Sequence, residues 1–439
     1  MTTPAAARIA RTYYILAGVY TLSASLIWGI NTLFLLHSGL TLLQVFLTNA
    51  LFTGSMAVFE VPTGIVADAR GRRLSFLLSM AVLLVGTLGY VAIPRLGGGL
   101  AAFCAASVVL GLGFTFYSGA TEAWLVDALH AAGHTDPLDR VMARGAMITS
   151  GAMLVGTVAG GLLGTLDLAV PYLVRCGLLA AAFAIGWRTM HDVGFVVRPL
   201  AVREVPAEMA RIGRAALQFG WGVPRVRRAI LAGAMPAVFL EWGYHAWQPY
   251  FLGLLGSDAA WIAGVIAAAI ALSMVAGSWL VERLTQYCGR RTTLLIGASV
   301  MYTATSIGVG FATSFPVAVG LYLIGMASMG VFQPARQGYL HVVVPQEQRA
   351  TVLSLASLVS SGGSMTGQAG LGWLSARTSL AGGYVAGGIV TAMAIPFLIG
   401  MRRLAGEPDR IFGRVGRYFS CPSLALPQGV ATAATREVT

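Results

Sequence analysis

The sequence contains no lysine; all 29 of its basic residues are arginine. That absence fits a GC-rich genome and carries no mechanistic content. The scarcity of charge as a whole is more telling. Only 10% of the 439 residues are charged, against roughly 25% in a soluble domain. With 56% hydrophobic residues, this excludes a soluble globular protein and leaves an integral membrane protein. Cys104, Cys176, Cys288 and Cys421 are scattered, with neither metal-ligand spacing nor a disulfide framework. Neither metal nor cofactor is expected, and we read no enzyme into the chain. No nucleotide-binding loop is present, which argues against a nucleotide-driven pump. A cleavable signal is also missing: Arg8 and Arg11 lead straight into a full-length apolar run, the mark of an uncleaved first helix. The long apolar runs lack the ~10-residue alternation of barrel strands, so the fold class is all-α, since only helices or closed barrels satisfy their backbone in lipid.

A helical span needs about 20 mostly apolar residues. Such runs fall at about 13–36, 41–67, 74–94, 99–129, 141–165, 168–190, 228–254, 258–284, 292–313, 315–341, 350–376 and 378–401, twelve in all. With both termini cytoplasmic, Arg95 and Arg377 lie outside, Arg175 and Arg336 lie within spans, and every other arginine lies inside. This follows the positive-inside rule. The net charge of +12 is therefore a topology signal, and nucleic acid is not needed as a partner to explain it. The expected organisation is a six-helix bundle over 1–190, a cytoplasmic linker over 191–227, a second six-helix bundle over 228–401 and a tail over 402–439. Within the linker, Met209, Ile212, Ala216 and Phe219 fall near helical spacing against Arg211 and Arg214. They suggest either an amphipathic helix over Glu208–Phe219 on the inner membrane surface or a solvated linker. The tail receives no function.

The stretch Gly64-Ile-Val-Ala-Asp68-Ala-Arg70-Gly71-Arg72-Arg73 sits between the second and third spans. It resembles the signature that joins helices 2 and 3 in the major facilitator superfamily, with Arg70 one place later than in the commonest form. The halves also echo each other. Ile15-Leu16-Ala17-Gly18 with Trp28-Gly29 and Asn31 is answered by Ile230-Leu231-Ala232-Gly233 with Trp242-Gly243 and His245. Glu282, Gly289, Arg290 and Arg291 loosely repeat the signature, and Gly111 to Glu122 matches Gly325 to Arg336 at eleven residues. Gly156, Gly160, Gly161 and Gly164 in the fifth span are matched by Gly363, Gly367, Gly370 and Gly372 in the eleventh. Such parallel repeats about an axis along the membrane normal are the arrangement of this superfamily.

An ionisable group inside a span costs roughly 2.5–3.5 kcal/mol on insertion scales, so it usually faces a cavity or a partner. Glu60, Glu122, Arg175, Glu241, His245 and Arg336 are such groups. The resemblance implies that spans 1, 4, 7 and 10 line a central cavity, and Glu122, Glu241, His245 and Arg336 fall on those spans. Glu241 lies thirteen residues into the seventh span, near mid-bilayer, beside Trp242, Tyr244, His245 and Trp247. A carboxylate with aromatic faces suits a cationic amphipathic ligand, and a buried carboxylate suits a proton carrier. A structural Glu–His or Glu–Arg pair is the plainer reading. Glu122 and Arg336 stand at similar depth, so they are expected either to approach across the cavity and close its inner side or to pair within their own halves. Asn31 is a polar contact in the cavity. Glu60, in a Phe59-Glu60-Val61-Pro62-Thr63-Gly64 run resembling helix 2 of bacterial drug exporters, is expected to couple protons or to make a fixed helix-packing bond. Arg175 is expected to snorkel to the outer surface. In the signature, Asp68 would accept bonds from a neighbouring helix N-terminus and from Arg72 or Arg73, latching the halves together. Gly64 and Gly71 would permit close approach and a tight turn, and Asp127 would tie the fourth span to the arginines.

Two features of drug/proton antiporters are missing: no arginine stands in Phe103–Gly111, and Gly156-Thr157 replaces the expected Gly-Pro. The resemblance implies a monomeric secondary transporter of the cell inner membrane, working by alternating access. Proton-coupled efflux of a hydrophobic or cationic drug or secondary metabolite is the leading expectation. Uptake or facilitated diffusion of a nutrient or metabolite is the alternative, and a non-transporting receptor on the same fold stays open.

Overall fold

The computed structural model describes residues 3–411, apart from 135–137, 196–209, 211–212, 215–216, 258, 346–347, 405 and 407–408. Among the described residues the chain is helical and has no strand. The first half comprises α1 (Pro4–Ser25), α2 (Asn31–His37), α3 (Leu42–Arg70), α4 (Arg72–Arg95), α5 (Leu100–Tyr117), α6 (Ala120–Ala131), α7 (Asp139–Gly164) and α8 (Val170–Thr189). The second comprises α9 (Pro224–Leu255), α10 (Ala260–Tyr287), α11 (Arg291–Phe311), α12 (Phe315–Val343), α13 (Arg349–Arg377), α14 (Leu380–Ala392) and α15 (Ala394–Arg403). Among the described residues, nine segments are long and apolar enough to cross a membrane: α3, α4, α5 with α6, α7, α8, α10, α11, α12, and α14 with α15. The other long helices are more polar. Arg8 and Arg11 open α1, Arg225, Arg227 and Arg228 open α9, and α13 is rich in serine and glycine. The chain is thus a multi-pass membrane protein. Of the surface helix expected over Glu208–Phe219, half lies outside the described residues; Leu217–Trp221 form a π-helical turn.

Two apolar cores organise the molecule. One draws on residues 6–190 with Ala260, the other on residues 226–401 with Phe46. Small residues bring helices into backbone contact at matching places in the two halves. A Cβ on Gly160 of α7 would fall 1.8 Å from the Leu26 carbonyl oxygen, and one on Gly367 of α13 would fall 1.8 Å from that of Val238. This is packing of the small-xxx-small kind, which gains dispersion energy where lipid gives no hydrophobic drive.

The C-terminal ends of α3, α6, α8, α10 and α12 share one end, which is arginine-rich; those of α2, α4, α7, α9 and α13 share the other. The halves meet through α3 with α13, α7 with α10 and α2 with α9. Their close contacts lie toward the arginine-poor end. Gly161 faces Gly264, where a Cβ would come within 2.7 Å. Gln248, fully buried, clamps the break between α1 and α2: its Oε1 accepts from Thr32 N and its Nε2 donates to the Trp28 carbonyl, both at 3.0 Å. Thr32 Oγ1 also donates to the His245 carbonyl (3.0 Å), and Gln368 Nε2 donates to Thr53 Oγ1 (3.1 Å). Toward the arginine-rich end, no ion pair among the described residues crosses between the halves. The arrangement is closed at one end and parted at the other.

Candidate functional site

At the closed end's inner boundary lies a cavity of about 200 Å³. Glu241, Tyr244 and His245 of α9 form one wall, and Asn31 and Asn49 another; Tyr20, Tyr90 and Arg175 complete the polar lining, with Phe52 and Phe114 among the apolar groups. The helical repeat explains the α9 wall: residues 241, 244 and 245 are spaced i, i+3, i+4 and share one face, and Gln248 continues it. Asn31 is held by a network, donating to Asn49 Oδ1 (3.1 Å) and accepting from the Tyr172 hydroxyl (2.8 Å). Glu241 has no hydrogen-bond or ion-pair partner among the described residues, so neither a Glu–His nor a Glu–Arg pair is formed here. His245 Nδ1 is buried without a partner, and its ring stands edge-on to Tyr244 at 5.7 Å.

Trp242 corrects the expected aromatic lining. It is fully buried in the second core, against Phe46, Phe239 and Tyr384, because it lies about 100° around the helix from Glu241. Trp247 is likewise buried away from the cavity. Arg175 corrects the snorkelling expectation. It is only 7% exposed and turns inward to the cavity, with Nε shut from solvent and unpartnered. Its depth in the span gave no sign of direction; its phase on α8 relative to buried Tyr172 and Leu179 would have.

A second, open pocket of about 540 Å³ faces the arginine-rich end, lined by Tyr13, Thr21, Tyr117, Glu122, Met142 and Ser150 among others. Tyr20 of the central cavity stacks on Tyr117 of this pocket at 3.4 Å, so the two rings stand between the two spaces. The fourth span breaks at Gly119 (φ +74°), which places exposed Glu122 in the first turn of α6, where the helix dipole favours a carboxylate. Arg336 is buried, with Nε and Nη1 unpartnered, and packs where Gly233 lacks a side chain: a Cβ there would lie 2.0 Å from Nη1. The expected Glu122–Arg336 approach is therefore not made, nor is a pair within either half, because the halves are parted at this depth.

The signature between α3 and α4 is knit into its own half. Asp68 pairs with Arg72 at 2.7 Å, and Arg72 Nε lies 3.9 Å from Asp127. Gly71 takes φ +106°, a left-handed turn that favours glycine, and a Cβ there would meet Asp192 Oδ2. The N-terminus of α4 is capped by Asp192 rather than Asp68: Arg73 N donates to Asp192 Oδ1 at 2.8 Å. Arg73 also donates to the Trp187 carbonyl (2.7 Å), while exposed Arg70 has no partner among the described residues. Three expectations are corrected. Asp68 does not latch the halves together here, since both its partner and the cap belong to the first half. Gly64 makes no close approach, since a Cβ there would meet nothing within 4 Å. Glu60 is exposed and makes no packing bond among the described residues. The same cap recurs in the second half, where the sequence had offered only a tail. Asp409, 1% exposed, accepts from Thr292 N and Thr292 Oγ1 of α11, each at 2.8 Å.

The family model of the Major Facilitator Superfamily matches residues 252–415. Over 397 residues, 88% of this chain and 94% of the relative, it is 22% identical to an uncharacterized MFS-type transporter, YxaM, of Bacillus subtilis (strain 168). By these two matches the chain resembles transporters of the major facilitator superfamily. Its fold agrees with solved members of that architecture. The nucleoside transporter NupG superposes with a TM-score of 0.72 at 10% identity, covering 90% of this chain and 98% of that one. A POT family transporter in complex with 5-aminolevulinic acid gives 0.68 at 12% identity, covering 91% and 96%. At such identities these likenesses speak for the fold alone. Among the described residues, no cluster of His, Cys, Asp and Glu is arranged to hold a metal.

Proposed function

We propose that this transporter exports a hydrophobic or cationic drug or secondary metabolite in exchange for protons, by alternating access. The observation that carries the reading is Glu241: a carboxylate in a cavity between the halves, with no partner among the described residues to hold its charge. Such a group can take up either a proton or a cationic ligand, and competition between the two is what exchange requires. Its companions in the cavity wall that can carry charge or donate hydrogen bonds include His245, Tyr244, Tyr20, Tyr90, Asn31 and Arg175.

In this reading all twelve segments cross the cytoplasmic membrane of the cell, with both termini and the arginine-rich end cytoplasmic, and the protein works as a monomer. Bundles 1–190 and 228–401 rock about the cavity, tied by the 191–227 linker, with the 402–439 tail inside. The polar helices support this by their length. The 32 residues of α9 and 29 of α13 extend about 48 and 44 Å, beyond the ~30 Å hydrocarbon layer. The structure is then the inward-open state. Glu122 and Arg336 would meet, and Asp68 would reach the other half, when the cytoplasmic end closes. The gating motif in this reading is Gly64, Asp68, Arg70, Gly71, Arg72 and Arg73 with Asp127; Glu60 would relay protons from the parted face.

Uptake of a nutrient or metabolite is the second reading, favoured by the missing arginine in Phe103–Gly111 and the missing Gly-Pro. One experiment separates them. In proteoliposomes under an imposed pH gradient, a panel of fluorescent amphipathic cations should move against the protons, and Glu241→Gln should abolish that movement. Movement with the protons would favour uptake; movement unchanged in Glu241→Gln would remove Glu241 from the mechanism.

A further inference from the structure

Arg175 and Glu241 are the two opposite charges in the wall of the central cavity, contributed by α8 of the first half and α9 of the second. They do not pair: no ion pair within 4.0 Å joins them, and neither has a hydrogen-bond or ion-pair partner among the described residues. A buried guanidinium without a carboxylate is costly. Burying an unpaired ion carries a penalty of several kcal/mol, and fold packing alone gives no reason to retain it. Asn31, Asn49 and Tyr172, by contrast, satisfy one another beside it. The space between the charges is walled by apolar and aromatic groups, including Ile27, Phe52, Leu110 and Phe114. At about 200 Å³ it is smaller than the ~300–1,000 Å³ of drug-sized sites.

We propose that the cavity recognises a small amphoteric compound, with an acidic group held by Arg175, a basic group held by Glu241 and an apolar body between them. The proposal rests on the reading of this cavity as the substrate site and narrows its ligand: a simple cation would leave Arg175 unpaired. Because the two charges belong to different halves, the ligand bridges them. An amphoteric ligand neutralises both walls at once, whereas a cation or an anion alone satisfies one half and leaves the other charge buried.

The test uses the purified full-length protein and three matched sets of ligands. The amphoteric set is 4-(aminomethyl)benzoate and the ω-amino carboxylates of four, six and eight carbons. The cationic set is benzylamine and the alkylamines of the same lengths, and the anionic set is benzoate and the corresponding alkanoates. Binding is read by calorimetry and by the shift in melting temperature. At least one amphoteric member should bind about tenfold or more tightly than its matched amine and its matched acid. Arg175→Gln should erase its advantage over the amine, and Glu241→Gln its advantage over the acid. Arg175→Lys guards against misfolding: it should keep the amphoteric preference while running as the same single peak on size exclusion. Amines that bind as tightly as amphoteric compounds, unaffected by Arg175→Gln, would overturn the proposal. So would loss of binding in Arg175→Lys and Arg175→Gln alike, which marks a packing role. If no set binds while gradient-driven flux of amphipathic cations persists in proteoliposomes, the amphoteric proposal falls and the transport reading stands. If that flux is absent as well, both fall.

Discussion

The two halves of the molecule cap α4 and α11 in the same way but surround the cap differently. In the first half, Asp192, after α8, binds the α4 N-terminus at Arg73 N; in the second, Asp409, after α15, binds the α11 N-terminus at Thr292 N. The distances agree, both 2.8 Å. Asp409, however, is buried and accepts a second bond from the Thr292 hydroxyl, whereas Asp192 is exposed and lies beside a layer of further charges, Asp68, Arg72 and Asp127. The carboxylate cap is thus the device shared by both repeats, a fixed strut at the arginine-rich end. The additional acids around Arg72 belong to the first half alone. Exposed ion pairs that rearrange at little cost suit a moving contact, and a buried doubly bonded cap suits a static one.

The comparison can be broken by substitution. The largest effect is expected at Gln248, which holds the halves together at the arginine-poor end. Gln248→Leu leaves Thr32 N and the Trp28 carbonyl buried without partners, at about 1–3 kcal/mol each. The closed end should then open, so that Asn49→Cys, in a background lacking the native cysteines, reacts several-fold faster (~3-fold or more) with an impermeant maleimide applied from that side. Unchanged reactivity would show that packing alone keeps the end shut. Next in size is Asp409→Asn, which puts an amide in place of a buried carboxylate that accepts both bonds from Thr292, and should cost about 1–3 kcal/mol. Asp192→Asn, at an exposed cap, should cost about 0.5–1 kcal/mol. Melting of the purified variants compares them, and an equal or reversed order would undo the distinction between strut and moving contact. Asp68→Asn removes a partly exposed pair and should change stability by less than about 1 kcal/mol, while altering the balance between open and closed states seen by cysteine labelling on the arginine-rich side. Trp242→Phe should lower stability by roughly 1–3 kcal/mol as a core truncation yet leave ligand preference unchanged; an altered preference would return Trp242 to the cavity.

Much of the fold was legible in the residues themselves. Apolar runs, the arginine bias and the Gly64–Arg73 turn each report a local constraint that lipid imposes on a short stretch of chain. Glu241 and His245 were legible for the same reason, as polar groups that mid-span burial makes expensive. Side-chain direction was less so. Trp242 and Arg175 were misjudged because depth along a span says nothing of phase around it; the 241, 244, 245, 248 face separates from 242 only when the helical repeat is followed round. Asp192 and Asp409 were invisible for another reason. Each lies outside the apolar runs and acts on a helix more than a hundred residues away, a contact that exists only in three dimensions. The state of the molecule was equally hidden, since Glu122, Arg336, Glu60 and Asp68 have partners or lack them according to which end is open.

Alternating access about the Gly161–Gly264 contact is the central claim, and distances across the parted end test it directly. Spin labels at Ala143→Cys on α7 and Gln286→Cys on α10, in a background without native cysteines, sit about 27 and 33 Å from that contact along their helices. Pulsed dipolar spectroscopy in lipid should find a long-distance population matching this structure and a shorter one, with the balance shifting between low and neutral pH and on adding a transported ligand. A single distance, unmoved by pH or ligand in protein that still transports, would contradict the account.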